Sequence, residues 1–438
     1  MKENSENEPS GSDYNPFEQR NVRKPNSDLR SLVNLIKSSL GSGLLAMPLA
    51  FSHAGWGLGI VSTIVITFIC GHCVHIFVKT SHGCCRIAKR PLLGYAETCR
   101  VTFETGPKRL RPFAKYAWIF VEFALFFTYI GVACIFTVLI SESVKQLVDR
   151  YYPSVTLSIE QYCLILLVPL VLLVQIRHLK WLAPFSLLAN VLLITTFIIC
   201  LYYIFKDEIS IENRLVVGHA SKFPIFLSTV IFAIEGIGVV MPVENAMKKP
   251  QHFLGCPGVL VIAMSFIVFL YTVLGLFGYL KYGDELKASI PLNLPIDDWP
   301  AVCAKVFIAL SIFFTYPLHF FVVTDIFTRY CEPLVKKEHR NMLQIAGRTA
   351  LVCICGGIGI ALPLLAQIID LVGAFFYSIL GLIIPGIVDT VFNWDHLGRL
   401  YWILWKNIFI VFFGLFALLS GCTVTILDII RIQSSKEN

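Results

Sequence analysis

The chain has 438 residues, of which 56% are hydrophobic and 15% are charged, and 34 of them are phenylalanine. So large an apolar fraction excludes a soluble globular fold of this length and indicates a membrane protein. The formal net charge of +7 arises from Lys and Arg between apolar segments, which indicates membrane topology and gives no support to nucleic-acid binding.

The chain begins with a polar segment, residues 1–28, that contains no apolar stretch. Its composition predicts a disordered cytosolic tail and not a cleaved signal peptide. We expect a transmembrane domain over residues 29–430 and a short tail over residues 431–438. Runs of about 18 to 25 largely apolar residues predict eleven spans in that domain. The predicted spans are 30–52, 56–79, 114–140, 160–175, 181–205, 223–247, 257–281, 300–328, 346–362, 365–391 and 401–428.

Basic residues mark one side of the predicted membrane protein. They cluster in the amino-terminal tail, in residues 79–115 and in residues 329–340, whereas the loop 282–299 is acidic. Counting the predicted spans along the chain places the three basic segments on the same side of the membrane. By the positive-inside rule, the amino terminus is predicted to be cytosolic and the carboxyl terminus to lie outside or in a lumen.

Motifs of several other protein classes are missing from the sequence. It has no phosphate-binding loop for ATP-driven pumping and no potassium-channel filter. Cys70-Gly71-His72-Cys73 is a single C-x-x-C without a second pair, so we expect no metal site. The 14 cysteines fall mostly in predicted spans or cytosolic loops and predict no disulfide framework. We expect no enzymatic activity and no cofactor.

Two apolar spans carry the same interruption near mid-depth. The first span contains Gly41-Ser42-Gly43 and the sixth contains Gly236-Ile237-Gly238, each followed by a Met-Pro pair. Lipid offers no hydrogen-bond partners to free backbone groups, so such breaks are tolerated only beside a cavity. Matched breaks in the two halves of a membrane protein indicate a secondary transporter built from inverted repeats. Close helix packing by small residues is the alternative for either motif alone.

The two breaks together predict a binding site for an amino acid. A helix that restarts at Leu44 points free amides toward the midplane, which suits a carboxylate. A half-helix that ends near Ile234 points carbonyl groups at the same place, which suits an ammonium group. The predicted substrate-binding residues are Gly41, Ser42, Gly43, Phe232, Glu235, Gly236, Ile237 and Tyr316.

Ionisable residues inside the spans are candidates for ion coupling. A carboxylate at Glu235, beside the second break, is costly in the membrane and could carry a proton; capping of free amides is the alternative. His72 is a second proton-coupling candidate, with a hydrogen-bonded packing histidine as its alternative. Lys37 lies one turn before the first break and could line an inner vestibule. Thr315 and Tyr316 place hydroxyl groups in span eight, where ordinary packing is the alternative.

With these residues the chain resembles the proton-coupled amino acid transporters of the amino acid/auxin permease group, of the insect type. The resemblance is carried by Leu32–Pro48, Phe232–Lys248 and Ile290–Pro295 and extends over nearly all of the chain after residue 29. It implies a leucine-transporter-like fold, an all-α polytopic protein with spans one to five and six to ten as inverted repeats and an eleventh helix. It also implies proton-driven movement of small amino acids toward the cytosol.

Two positions depart from the pattern of these transporters. Relatives carry a histidine proposed for proton coupling where this chain has Asn34, which cannot titrate, and an outer-face cystine that this sequence lacks. His72 does match a histidine of the family. The resemblance therefore leaves Glu235 and His72 as the proton-coupling candidates.

The sequence as a whole predicts a secondary active symporter of small neutral amino acids and protons. The alternatives are a sodium-coupled or facilitative amino acid transporter, and an amino acid sensor that signals to partners through its cytosolic face. The expected location is the plasma membrane or a lysosomal or endosomal membrane.

Overall fold

The computed structural model of the protein describes residues 14–20, 25–176, 179–234, 236–255 and 257–437. In these ranges the regular structure is helical, apart from one isolated β-bridge between Asn26 and Met247. The α-helices are α1 (Asp28–Ser39), α2 (Ser42–Ala54), α3 (Trp56–Ile87), α4 (Tyr95–Thr105), α5 (Ala114–Tyr151), α6 (Ile159–Val174), α7 (Leu179–Lys206), α8 (Phe223–Ile234), α9 (Ile237–Asn245), α10 (Val259–Tyr282), α11 (Trp299–Cys331), α12 (Arg340–Ala361), α13 (Leu365–Val372), α14 (Ile384–Phe392) and α15 (Trp402–Glu437).

The helices reproduce the predicted membrane spans. Within the described ranges, nine helical segments are long and apolar enough to cross a membrane, and the bent pair α1–α2 makes a tenth. The 16-residue α6 is the shorter apolar helix at the fourth predicted span. Span one is α1–α2, span six is α8–α9 and span ten runs from α13 to α14. The expectation of an all-α polytopic fold is confirmed.

Several helices are longer than the apolar runs that predicted them. The second span was predicted to end at residue 79 and the third at residue 140, but α3 continues to Ile87 and α5 to Tyr151. An apolar run ends where the chain leaves the lipid, whereas the helix itself continues through polar residues that favour helical backbone hydrogen bonding. The boundary between spans nine and ten lies at Pro363, as predicted, because α12 ends at Ala361 and α13 begins at Leu365.

The spans form two groups. In the first group, α2 packs against α8 and α10, and α3 packs against α10 and α8, so spans one, two, six and seven form a bundle. In the second group, α5 packs against α6, α11 and α12, and α6 packs against α12, so spans three, four, eight and nine form a scaffold. α15 lies outside the ten-span unit against α8, α13 and α14.

The helix contacts repeat between the two halves of the chain. Span one packs on span seven, and the matching contact in the other half is that of span six on span two. Span three packs on span nine, and the matching contact is that of span eight on span four. Each half contains five spans, and an odd number of crossings makes the second half run in the opposite sense to the first. These contacts agree with the expected inverted five-plus-five repeat followed by an eleventh helix.

Part of the amino-terminal tail has a fixed position, in contrast to the predicted disorder of residues 1–28. We call residues 14–20 and 25–27 the amino-terminal strap. Arg20 forms an ion pair with Glu244 at 3.0 Å, and the two side chains are 3% and 0% exposed. His82 lies 2.7 Å from the same carboxylate. Asn26 exchanges backbone hydrogen bonds with Ala246 and Lys248 at 2.7 and 2.9 Å. The polar composition of the tail did not indicate that Arg20 would be buried against Glu244.

Thirteen cysteines lie in the part of the chain that is described, and no disulfide bond joins any two of them there. The fourteenth, Cys256, lies outside the described residues.

Candidate functional site

A cavity of about 260 Å³ lies where the two broken spans meet the scaffold. Its walls come from α1, α2, α5, α7, α8, α9, α11 and span ten. Asn34 and Lys37 line it from α1, and Leu125 and Ser186 line it from the early parts of α5 and α7. Spans one, three and five all begin on the side of the membrane on which the amino terminus lies, so the cavity extends toward that side.

The first break has the geometry that the sequence predicted, with one difference. α1 ends at Ser39, α2 begins at Ser42, and their axes differ by 51°. Helix therefore resumes two residues before the expected Leu44, because only Leu40 and Gly41 leave the helical conformation between the two segments. Gly41, Ser42 and Gly43 all line the cavity.

The two glycines of this break have different surroundings. A Cβ atom added to Gly41 would meet nothing within 4 Å, whereas one added to Gly43 would lie 2.5 Å from the Cα of Ala233. Gly43 is thus required by the close approach of α2 to α8, in the manner of small-residue helix packing. Gly41 is the position where open space adjoins the backbone.

The second break lies directly opposite. α8 ends at Ile234, as predicted, and α9 begins at Ile237 with Gly236 as its N-cap residue. Phe232 and Gly236 line the cavity, and a Cβ atom at Gly236 would lie 3.0 Å from the hydroxyl of Ser38. Glu235 and the side chain of Ile237 lie outside the described residues.

The two breaks bring together amino-terminal helix ends, which offer amides, and carboxyl-terminal helix ends, which offer carbonyl groups. α2 and α9 begin at glycine N-caps that offer no side-chain cap, which leaves their first amides for a ligand. The carboxyl ends of α1 and α8 meet at Tyr271 of α10. Its fully buried hydroxyl lies 2.5 Å from the carbonyl oxygen of Ala233 and also contacts that of Ser39. A single hydroxyl hydrogen is therefore shared between the two helix ends.

The sequence analysis missed Tyr271. Residues 257–281 were recognised as a span, but nothing local to Tyr271 indicates that its hydroxyl reaches two helices that lie far away in the chain. Its position modifies the predicted site for an ammonium group, because two of the terminal carbonyl groups already share the Tyr271 hydroxyl as a donor.

Aromatic residues of the scaffold face the breaks. His319 lines the cavity from α11, with ring centroids 6.0 Å from Tyr129 and 5.2 Å from Phe136. Tyr129 lines it too, and a Cβ atom added to Gly238 would overlap the Tyr129 hydroxyl. His319 is an ionisable residue inside a predicted span, so a sequence signal for it existed and was overlooked.

Two predicted residues lie away from the cavity. Tyr316 stacks on Phe320 at 5.5 Å and is 1% exposed, whereas its neighbour Thr315 lines the cavity. Successive residues of a helix point about 100° apart, and in α11 it is Thr315 that faces the site. His72 lines a separate groove between α3 and α10 and stacks on His75 at 6.5 Å.

Charge in the cavity is sparse. Lys37 and His319 are the basic residues among the described lining residues, and these include no carboxylate. The remaining described lining combines apolar side chains with backbone groups and small hydroxyl residues such as Ser42 and Thr315. Such a lining suits a small ligand that brings its own pair of opposite charges.

Sequence comparison agrees with this geometry. A family model described as transmembrane amino acid transporter protein matches residues 24–427. The chain belongs to this family. It is therefore a multi-pass integral membrane protein and an amino acid transporter.

Individual relatives span almost the whole chain. The chain is 40% identical to the proton-coupled amino acid transporter-like protein pathetic of Drosophila melanogaster, over 100% of this chain and 92% of that protein. It is 25% identical to amino acid transporter ANT1 of Arabidopsis thaliana, over 92% and 93% of the two chains. A solved structure of a Na+-coupled sialic acid symporter, in a substrate-bound outward-open state, matches with a TM-score of 0.44 and 11% identity, over 94% of this chain and 93% of that chain.

Proposed function

We propose that the protein is a proton-coupled symporter that carries small neutral amino acids toward the cytosol, with the substrate held between the two broken spans. The observation that supports this most directly is the convergence of both helix breaks on one cavity of about 260 Å³. A water molecule takes about 30 Å³ of liquid volume, so the space suits a small amino acid and a few waters.

Each part of an amino acid has a complementary wall in this proposal. The carboxylate binds the free amides at the start of α2, next to Gly41 and Ser42, where the helix dipole favours negative charge. The ammonium group lies at the carbonyl ends of α1 and α8. The side chain points toward Phe232 and Tyr377, whose rings pack edge to face at 5.7 Å. The lack of a carboxylate among the described lining residues disfavours a cationic side chain.

Proton coupling is supported by the similarity to the proton-coupled amino acid transporter-like protein of Drosophila. Glu235 and His72 remain our predicted proton-coupling residues. His72 is separate from the cavity, so a proton bound there would act through movement of α3 against α10. The basic loops support a cytosolic amino terminus, and the cavity then opens toward the cytosol. We place the protein in the plasma membrane or a lysosomal or endosomal membrane.

Uptake of radiolabelled glycine, alanine, proline and lysine into proteoliposomes tests the proposal. We expect accumulation of the neutral amino acids when the outside is acidic, without sodium, and little accumulation of lysine. Uptake that requires sodium, or that only equilibrates, would identify the sodium-coupled or facilitative alternative. Binding without net uptake would identify a sensor.

Matched variants locate the substrate. Gly41→Val adds bulk to open space beside the α2 amides, so we expect normal folding and at least about a tenfold loss of affinity, which corresponds to roughly 1.4 kcal/mol. Gly357→Val is the control, because a Cβ atom there also meets nothing within 4 Å and Gly357 lies in α12, away from the cavity. Equal affinity in both variants would place the substrate elsewhere. Glu235→Gln and His72→Ala should each weaken acid stimulation if that residue carries the proton.

A further inference from the structure

A buried carboxylate lies at the contact between α8 and α13. Asp370 of α13 is 5% exposed, and its Oδ1 atom lies 2.5 Å from the hydroxyl oxygen of Thr229 in α8. Among the described residues, no Lys, Arg or His side chain forms an ion pair with Asp370. A carboxylate in a membrane-spanning segment without a cation is costly when ionised.

The hydrogen bonds at this contact favour the protonated acid. The hydroxyl of Thr229 lies 3.0 Å from the carbonyl oxygen of Ile225 as well as 2.5 Å from Asp370. A carbonyl oxygen only accepts, and a hydroxyl has one hydrogen to donate. When Thr229 donates to Ile225, the hydrogen between Thr229 and Asp370 must come from the carboxyl group. Protonated Asp370 satisfies both contacts, whereas the ionised form satisfies one.

One charged neighbour acts in the same direction. Asp428 of α15 accepts a hydrogen bond of 2.8 Å from Gln367, which precedes Asp370 by one turn, and its negative charge opposes a second one on Asp370. Arg431 follows Asp428 by about one turn. His53 of α2 interacts electrostatically with Asp428 and with Lys222.

The other helices that pack on α13 bring no charge to it. The described residues of α8 include no ionisable side chain. α5 contacts α13 where Gly131 faces Val372, and within about one turn of Gly131 the titratable residues are Tyr129 and Cys134. The segment that follows α13, Gly373–Tyr377, carries Tyr377.

The Asp370–Thr229 pair is directly connected to the cavity wall. Thr229 precedes Phe232 by three residues, or about 4.5 Å along the helix. Phe232 and Tyr377 meet edge to face and line the cavity on α8 and span ten. Next to the pair, a Cβ atom at Gly373 would overlap the carbonyl oxygen of Ser228 and lie 3.0 Å from the Cβ atom of Phe232, so the helices touch closely. Spans six and ten begin on the side opposite the start of span one, so this contact lies on the side of the cavity opposite Asn34 and Lys37.

We propose that Asp370 is a proton-binding site of the transport cycle, in which its protonated form bonds to Thr229 and closes α8 against α13. The inference rests on the proposed proton-coupled transport. Proton binding forms the O–H bond of the carboxyl group, and release breaks it and gives the proton to water. The ionised carboxylate then requires hydration, so the contact opens and the cavity becomes accessible from the opposite side.

The first experiment compares Asp370→Asn with Asp428→Asn in proteoliposomes. The amide side chain of the Asp370→Asn variant imitates the protonated acid and cannot release a proton. We expect this variant to exchange labelled for unlabelled amino acid at equal pH but to lose accumulation driven by a pH gradient at least tenfold. Asp428→Asn should retain both activities. Wild-type accumulation in Asp370→Asn would overturn the inference.

A second pair of variants tests the same inference if Asp370→Asn does not reach the membrane. Thr229→Val removes the hydroxyl group, and we expect the pH midpoint of uptake to move by about half a unit or more. Thr229→Ser, which keeps the hydroxyl, should restore the wild-type midpoint. An unchanged midpoint in Thr229→Val would overturn the inference. If the wild-type protein shows no proton-driven accumulation, the proposed function fails and the inference fails with it; failure in the variants alone leaves the function standing.

Discussion

The two helix breaks have nearly the same sequence but different neighbours. At the first break, Gly43 is pressed against Ala233 of α8, while Gly41 adjoins open space. At the second break, Gly236 lies beside Ser38 of α1 and Gly238 lies under Tyr129 of the scaffold. The first break thus contacts the bundle, and the second also contacts the scaffold. A Gly-x-Gly motif therefore combines two functions, helix packing at one glycine and backbone access at the other.

The largest effect is expected at the contact of the second break with the scaffold. In Gly238→Ala the new methyl group overlaps the Tyr129 hydroxyl, so we expect uptake to fall by about thirtyfold, or roughly 2 kcal/mol. Removal of that hydroxyl makes room, so the double variant Gly238→Ala with Tyr129→Phe should regain most of the loss. Uptake measured on all four proteins of this cycle checks the contact, and equal losses in the single and double variants would contradict it.

A smaller but clear effect should separate the two glycines of the first break. Gly43→Ala places a methyl group 2.5 Å from the backbone of Ala233, and overpacking of this kind costs roughly 1–3 kcal/mol. We expect a lower melting temperature and about a tenfold loss of uptake. Gly41→Ala, with open space, should retain the wild-type melting temperature. Similar thermal stability of the two variants would remove the distinction between packing and access.

Tyr271 tests whether the two breaks depend on each other. Tyr271→Phe removes the hydroxyl that the carbonyl groups of Ser39 and Ala233 share. A buried acceptor without its donor costs roughly 1–3 kcal/mol, so we expect a fivefold to tenfold loss of uptake, as roughly 1–1.4 kcal/mol would give. Tyr279→Phe on the same helix is a control outside the cavity. A loss in the control as large as in Tyr271→Phe would show that the effect is not specific to the breaks.

The smallest effect is expected at Asn34, which lines the cavity one turn before Lys37. A histidine there titrates near pH 6.5 in the unperturbed state, whereas the natural amide does not titrate. Asn34→His should therefore steepen the acid dependence of uptake, with little change in its maximum rate. Asn34→Gln, which stays neutral, should keep the natural profile. Identical pH profiles in the histidine and glutamine variants would remove Asn34 from the proton path.

The sequence predicted features that have a local cause. Apolar runs located the spans because lipid requires them, and the matched Gly-x-Gly motifs followed by Met-Pro in spans one and six located the breaks. Side chains that act across the fold were harder to identify. Thr315 and Tyr316 are adjacent in the chain, and only the orientation of α11 determines which one lines the cavity. Asp370 was visible as a carboxylate inside a predicted span, but its partner Thr229 lies 141 residues away.

The amino-terminal strap has a mechanical consequence for the side of the cavity that Asn34 and Lys37 line. Arg20 and Asn26 hold the chain that precedes α1 to the end of α9, through Glu244 and Ala246. α1 and α9 are consequently joined through the strap as well as through their own contact. The strap therefore resists separation of these two helices on the side of the cavity that Asn34 and Lys37 line.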